Sequence, residues 1–126
     1  MKMWIAVAAG GAVGALGRYL VMVGVGAIGA THFPIGTIVV NVIGSFLLGA
    51  LVEASALVIS IGPELRAFLV VGVLGAFTTF STFSMDVVAL VVRHDSMQAA
   101  AYIVASVVLG VGAFFAAMRL VKWLVV

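Results

Sequence analysis

Polar and charged residues interrupt this chain at three short places, and the stretches between them are almost continuously apolar. The interruptions fall at residues 31–34, 62–64 and 93–96, and the second contains a Gly-Pro pair of the kind that ends helices. About 20 apolar residues are enough to cross a bilayer. The pattern therefore predicts four transmembrane helices, at residues 4–28, 35–61, 65–92 and 97–126.

The third apolar segment carries a polar insertion that an ordinary membrane helix lacks. Five hydroxyls fall within residues 78–84, with phenylalanines interleaved among them. The hydroxyl residues are Thr78, Thr79, Ser81, Thr82 and Ser84, and the rings are Phe77, Phe80 and Phe83. Glycines precede this run, so we expect a break near residues 75–79. Irregular backbone at membrane depth persists only inside protein or beside water, so the segment is expected to line a wet cavity or to hold an ion.

Composition limits the chain to one membrane domain spanning residues 1–126. Of these residues, 66% are hydrophobic and 8% are charged, which leaves no room for a soluble catalytic domain. Cysteine is absent from the sequence, so disulfides and thiolate sites are excluded. The net charge of +2 comes from scattered basic residues, which does not favour a nucleic-acid partner. No nucleophile–base pair, metal cluster or phosphate loop indicates an enzyme.

Several polar residues inside the predicted helices require an explanation. Arg18 lies well within helix one and is either a residue reaching a vestibule or a fixed charge that helps anions or completes a network. Asn41, one turn before Ser45, is either an interhelical clamp or a donor to an anion. Tyr102 and Ser106 are one turn apart in helix four. They either form ordinary interhelical hydrogen bonds or make a second line of polar groups that faces the hydroxyls of helix three.

The acidic residues Glu53 and Asp86 are candidates for proton coupling. Glu53 lies towards the end of helix two and Asp86 just after the hydroxyl run, and because neither is clearly in mid-helix, solvated or capping roles are favoured. His32 and His94 lie in loops without metal-site spacing. Gly10 and Gly14 form a GxxxG pair, which predicts close helix packing.

Basic residues favour termini in the cytoplasm. With four helices, the termini and the second loop share one side of the membrane. That side carries Lys2, Arg66, Arg119 and Lys122, against Arg93 on the other.

The run Thr-Thr-Phe-Ser-Thr-Phe-Ser at residues 78–84 closely resembles a motif of the Fluc (CrcB) fluoride channel family. Three other features share the resemblance: Gly75, the segment Gly-Thr-Ile-Val-Val-Asn ending at Asn41, and the helix-one pattern ending in Arg18-Tyr19. The resemblance extends over the whole chain in length, helix count and motif order. It implies a passive, fluoride-selective channel that exports fluoride across the cell inner membrane. It also implies an antiparallel, dual-topology homodimer with two pores.

The resemblance also implies roles for individual residues. The backbone carbonyls of Gly75 and Thr78 would hold a structural Na⁺ where the broken helices cross, and Arg18 would be a structural or vestibule charge. The implied fluoride pore consists of Asn41, Phe80, Phe83, Ser81, Thr82, Tyr102 and Ser106.

Two other functions are compatible with a small four-helix membrane protein. A proton-coupled exporter resembling the small multidrug resistance transporters would need a carboxylate in helix one, where this sequence has none. A non-transporting membrane assembly protein would explain the packing glycines and leave the hydroxyl and phenylalanine run without a role.

Overall fold

The computed structural model describes residues 2–29 and 32–126, and these residues form helices and loops without a strand. Thr31, predicted to lie in the first loop, is outside the described residues. The helices are α1 (Met3–Ile28), α2 (Ile35–Leu57), α3 (63–77), α4 (Phe80–Val92) and α5 (Ser96–Val125). Because α3 and α4 together form one span, four segments are long and apolar enough to cross a bilayer. The chain is a multi-pass membrane protein, and the all-α prediction is confirmed for the described residues.

The second helix is shorter than the sequence predicts. It ends at Leu57, before the predicted end at residue 61. The N–H groups of the next two residues both bond to the Ala54 carbonyl, at 2.9 Å, which closes the helix. Pro63 disfavours helical backbone at Gly62, which is extended, and itself occupies the first turn of α3. The apolar residues after Leu57 therefore form a connection, and the third span begins at Pro63.

The third span is interrupted at residues 78 and 79, and we call this interruption the helix break. Thr78 has φ −78° and ψ 157°, and Thr79 has φ −150° and ψ 120°, so both are extended between α3 and α4. The Thr79 side chain caps α4 by accepting a hydrogen bond from the Thr82 N–H at 3.1 Å. The interruption lies within the predicted range of residues 75–79.

A π-helix over Ala67–Leu74 forms the middle of α3, and hydrophobic patterning does not predict it. Gly10 and Gly14, four residues apart on α1, face the backbone carbonyls of Phe68 and Val73, which are five residues apart on α3. In an α-helix, at about 100° per residue, positions four apart share a face and positions five apart do not. A π-helical turn, with its i→i+5 bonds, realigns them. The π-helix thus allows α3 to match the glycine face of α1.

Glycines also bring α2 close to its neighbours. A Cβ on Gly44 would collide with the Thr78 methyl group, and one on Gly49 would collide with the Phe114 carbonyl. The largest fully buried side chains are Tyr102, Val40 and Thr37. A buried core cluster lies where the end of α4 meets the start of α5, with Leu90, Ala99 and Tyr102 at its centre and Ile38 of α2 packed against it.

Candidate functional site

The side-chain amide of Asn41 holds the helix break. Its Nδ2 donates to the Thr79 carbonyl at 3.0 Å, and its Oδ1 accepts from the Thr79 N–H at 2.8 Å. The Thr79 N–H has lost its helical partner at the break, so Asn41 Oδ1 replaces that bond, while Nδ2 adds a second bond to the carbonyl of the residue that caps α4. An Asn amide nitrogen carries two hydrogens, so one N–H remains after this pairing. The clamp and the donor hypotheses are therefore compatible.

The hydroxyls of the third span are largely engaged within the protein. Thr78 Oγ1 donates to the Leu74 carbonyl at 3.0 Å, and Ser84 Oγ donates to the Phe80 carbonyl at 3.0 Å. The others form a cluster around buried Thr79, with Ser81 Oγ at 3.3 Å and Thr82 Oγ1 at 3.1 Å from its hydroxyl oxygen. Ordered hydrogen bonding offsets the cost of placing these hydroxyls at membrane depth.

A cavity of about 350 Å³ lies against the helix break, and we call it the break cavity. None of the described residues that line it has a formally charged side chain. Its lining consists of Asn41, Gly44, Ser45, Leu48, Val70, Leu74, Gly75, Thr78, Thr79, Phe80, Phe83, Ser106 and Val107. Amide, hydroxyl and phenyl groups thus surround one space. Ser81, Thr82 and Tyr102, which were predicted to line the same track, are not among its lining residues.

Ser106 is one of the residues that line the break cavity. Its Oγ is buried and has no hydrogen-bond partner among the described residues. A buried hydroxyl without a partner costs about 1–3 kcal/mol, so it retains its capacity to donate to a ligand in the cavity.

Four aromatic rings contact one another in a row that runs from the break cavity into the core. The ring centroids of Phe80 and Phe83 are 5.5 Å apart, those of Phe83 and Tyr102 are 5.3 Å apart, and those of Tyr102 and Phe33 are 5.7 Å apart. The last pair is edge-to-face at 90°. These separations lie within the range of favourable aromatic pairs. Tyr102 therefore connects to the predicted phenylalanines through ring contacts.

Asp86 occupies a polar cluster between helices, so the prediction of a solvated or capping role is wrong. Its Oδ2 accepts hydrogen bonds from Thr37 Oγ1 at 2.6 Å and from the Tyr102 hydroxyl at 2.9 Å. Thr37 was not among the predicted site residues, although it lies one turn before Asn41 in the same motif. Thr37 and Asp86 also line a second cavity, of about 410 Å³, between α1 and the start of α2.

Arg18 lies beside the helix break, where its Nη1 donates to the Thr78 carbonyl at 3.4 Å. This contact ties the guanidinium to the backbone of the break, and the vestibule and fixed-charge roles stay predictions. The guanidinium contacts a backbone carbonyl, which carries only a partial negative charge.

The backbone at the break fits a hard monovalent cation such as Na⁺. In an unbroken helix the Thr79 N–H would bond to the Gly75 carbonyl, but it bonds to Asn41 instead. The carbonyls of Gly75 and Thr78 are thus released from helical bonding, and oxygen atoms are the ligands that hard cations prefer. Among the described residues, no group of three or more His, Cys, Asp or Glu side chains offers a metal site.

Comparison with known proteins assigns the chain to a family. Residues 5–118 match the family described as CrcB-like protein, Camphor Resistance (CrcB). The chain is 54% identical over 122 residues, 97% of each sequence, to a protein of Rhodospirillum centenum named fluoride-specific ion channel FluC. It is 48% identical over 118 residues, 94% of each, to a protein of that name from Nitrobacter winogradskyi. A Granulibacter bethesdensis protein with the same name is 43% identical over 125 residues, which cover 99% of this chain and 98% of that one.

Proposed function

This chain belongs to the CrcB-like protein family, and we propose that it is a fluoride-selective channel through which fluoride passes passively. The relatives named fluoride-specific ion channel match it over nearly their full length, which supports this function. Export across the cell inner membrane would lower cytoplasmic fluoride. The proposed activity is conduction, with no covalent chemistry and therefore no enzyme.

The observation that carries this proposal is the chemistry of the break cavity. Fluoride is small and strongly hydrated, so a pore must replace its water with other donors. The second N–H of Asn41 and the unpartnered hydroxyl of Ser106 supply two donors. The edges of Phe80 and Phe83 add weakly positive surface. Without a formal positive charge in the lining, binding stays weak enough for the ion to leave, as conduction requires.

The remaining predicted pore residues would act on either side of this cavity. Ser81 and Thr82 hold the Thr79 hydroxyl and so fix the geometry of the break. Tyr102 lies between Phe83 and the Asp86 cluster, so it links the break cavity to the second cavity. We assign the fluoride path to this sequence of sites.

The proposed assembly is an antiparallel homodimer of dual topology with two pores. Phe80 supports it, because 79% of this residue is exposed in one protomer although it lines the break cavity. A second copy of the chain would complete the wall. The unequal distribution of basic residues opposes dual topology only weakly, because Arg119 and Lys122 lie inside α5 and late in the chain.

A structural Na⁺ is part of the proposed channel. The carbonyls of Gly75 and Thr78 would hold it, and when bound it would supply positive potential near both pores. Because these ligands are backbone atoms, the helix break itself determines whether they are available.

Bacteria that lack their own fluoride exporter provide the cellular test. Expression of this chain should restore growth on fluoride, and expression of the Asn41→Asp variant to the same membrane level should not. Equal growth of cells with the chain and cells with an empty vector would refute fluoride export.

A further inference from the structure

The guanidinium of Arg18 lies next to the Thr78 carbonyl oxygen, which is a proposed ligand of the cation. Arg18 belongs to the middle of α1, and its Nη1 lies 3.4 Å from the Thr78 carbonyl oxygen. This distance is at the long end for a hydrogen bond, so the guanidinium can release the carbonyl without losing a short bond.

The local packing fixes this arrangement. Gly14 lies against the backbone of Val73, and Gly17 faces the ring of Phe77, so α1 is pressed against the end of α3. The Thr78 hydroxyl bonds back to the Leu74 carbonyl at 3.0 Å. The Thr78 carbonyl, in turn, accepts the bond from Arg18. A cation bound at the break would therefore lie close to the guanidinium.

We propose that Arg18 is a tethered competitor for the Thr78 carbonyl and sets the affinity of the helix break for its cation. This inference rests on the proposed Na⁺ site. A fixed positive charge beside a cation site weakens cation binding at all times, whether or not the guanidinium keeps its hydrogen bond. When the cation is absent, the same guanidinium satisfies the freed carbonyl. Arg18 is thus a positioning and affinity-determining residue, with no need to touch fluoride.

The proposal predicts opposite changes in two measured quantities when the charge is removed. Binding of Na⁺ strengthens because a repulsion is lost, and fluoride flux falls because the break loses positive potential. A purely structural arginine would give a different result, since its removal would weaken the fold and lower both.

The test is thermal unfolding of the full-length protein in detergent, across a NaCl titration balanced with N-methyl-D-glucamine chloride. The midpoint of Na⁺-dependent stabilisation is compared for wild type, Arg18→Gln, Arg18→Lys and the control Arg119→Gln, which removes an exposed charge from α5. We expect the midpoint of Arg18→Gln to be at least about tenfold lower than that of wild type. The control should match wild type. Arg18→Lys keeps the charge on a shorter side chain and should give an intermediate midpoint.

A midpoint for Arg18→Gln that equals or exceeds that of wild type would overturn the proposal. If that variant does not fold, Arg18→Lys decides, and a midpoint at or above the wild-type value has the same meaning. Stability of the wild type that is identical in both salts would remove the Na⁺ site and this inference with it. Fluoride efflux from the same preparation tests the channel separately, so the two failures are distinguishable.

Discussion

Two hydrogen bonds join the side-chain amide of Asn41 to the backbone of Thr79. The amide nitrogen donates to the Thr79 carbonyl at 3.0 Å, and the amide oxygen accepts from the Thr79 N–H at 2.8 Å. The amide oxygen replaces the helical acceptor that the Thr79 N–H lacks, and the amide nitrogen adds a second bond to the Thr79 carbonyl. The pairing also orients the remaining N–H of Asn41, because an amide is planar and its other bonds are fixed. Holding the break and presenting a donor to the break cavity are therefore consequences of one geometry.

Replacing Asn41 by Asp should reduce fluoride flux by at least about tenfold. A carboxylate cannot donate to the Thr79 carbonyl, and its charge repels the permeant anion. Efflux from liposomes measures the flux, and size-exclusion chromatography checks that the assembly is retained. Undiminished flux in a correctly assembled variant would place Asn41 away from the ion path.

Replacing Phe80 or Phe83 by Ile should abolish conduction in a folded protein. Isoleucine keeps each position apolar and removes an aromatic ring from the lining of the break cavity, and with it the positive ring edge that we propose contacts the anion. The matched control is Phe115→Ile on α5, which changes an exposed ring outside the cavity lining and should leave flux unchanged. Normal flux in both cavity variants would remove the rings from the mechanism.

Replacing Asp86 by Asn should preserve most of the fluoride flux. The amide oxygen can accept both bonds that Thr37 and Tyr102 donate to the carboxylate, and the path loses a negative charge. Asp86→Leu should instead destabilise the protein, since each buried hydroxyl left unpaired costs about 1–3 kcal/mol. Efflux with and without a pH gradient is the measurement. Loss of transport in the Asn variant would favour the proton-coupled exporter.

Replacing Gly14 by Ala should destabilise the protein by about 1–3 kcal/mol, because the new methyl group would collide with the Val73 backbone and force α1 away from α3. Gly24→Ala is the matched control on the same helix, where a Cβ meets nothing within 4 Å. Thermal unfolding in detergent compares the two. Equal stability of the variants would contradict close contact between α1 and the π-helix.

Replacing His94 by Gly should stabilise the protein by about 1 kcal/mol without changing flux. His94 has φ 64° after the end of α4, a left-handed conformation that glycine adopts without steric cost. Thermal unfolding and efflux measured on the same preparation test both parts. A lower melting temperature for the variant would show that the side chain contributes more than its backbone strain costs.

The number of spans and the break could be predicted because each depends on local chemistry. Twenty or more apolar residues must cross the bilayer, and hydroxyls in the middle of a span require a special environment. The π-helix could not be predicted in this way. It depends on the spacing of Phe68 and Val73 relative to two glycines of α1, which becomes known only when the helices are packed.

The sequence identifies the site residues by their chemical type, but only the structure shows which groups they bond to. Asn41 and Arg18 were recognised as polar groups that must be satisfied, but sequence alone left a clamp and an anion donor equally open for Asn41. The role of Asp86 was predicted wrongly because its position after the hydroxyl run says nothing about partners on other helices. Its hydroxyl donors, Thr37 and Tyr102, come from two other helices.

Ion efflux from liposomes tests the central claim most directly. Liposomes containing the purified protein are loaded with fluoride or with chloride and diluted without a proton gradient, beside protein-free liposomes. The account predicts rapid fluoride release with negligible chloride release, and Asn41→Asp should reduce the fluoride signal. Release of both anions at similar rates, or fluoride release only after a pH gradient is applied, would contradict a passive fluoride-selective channel.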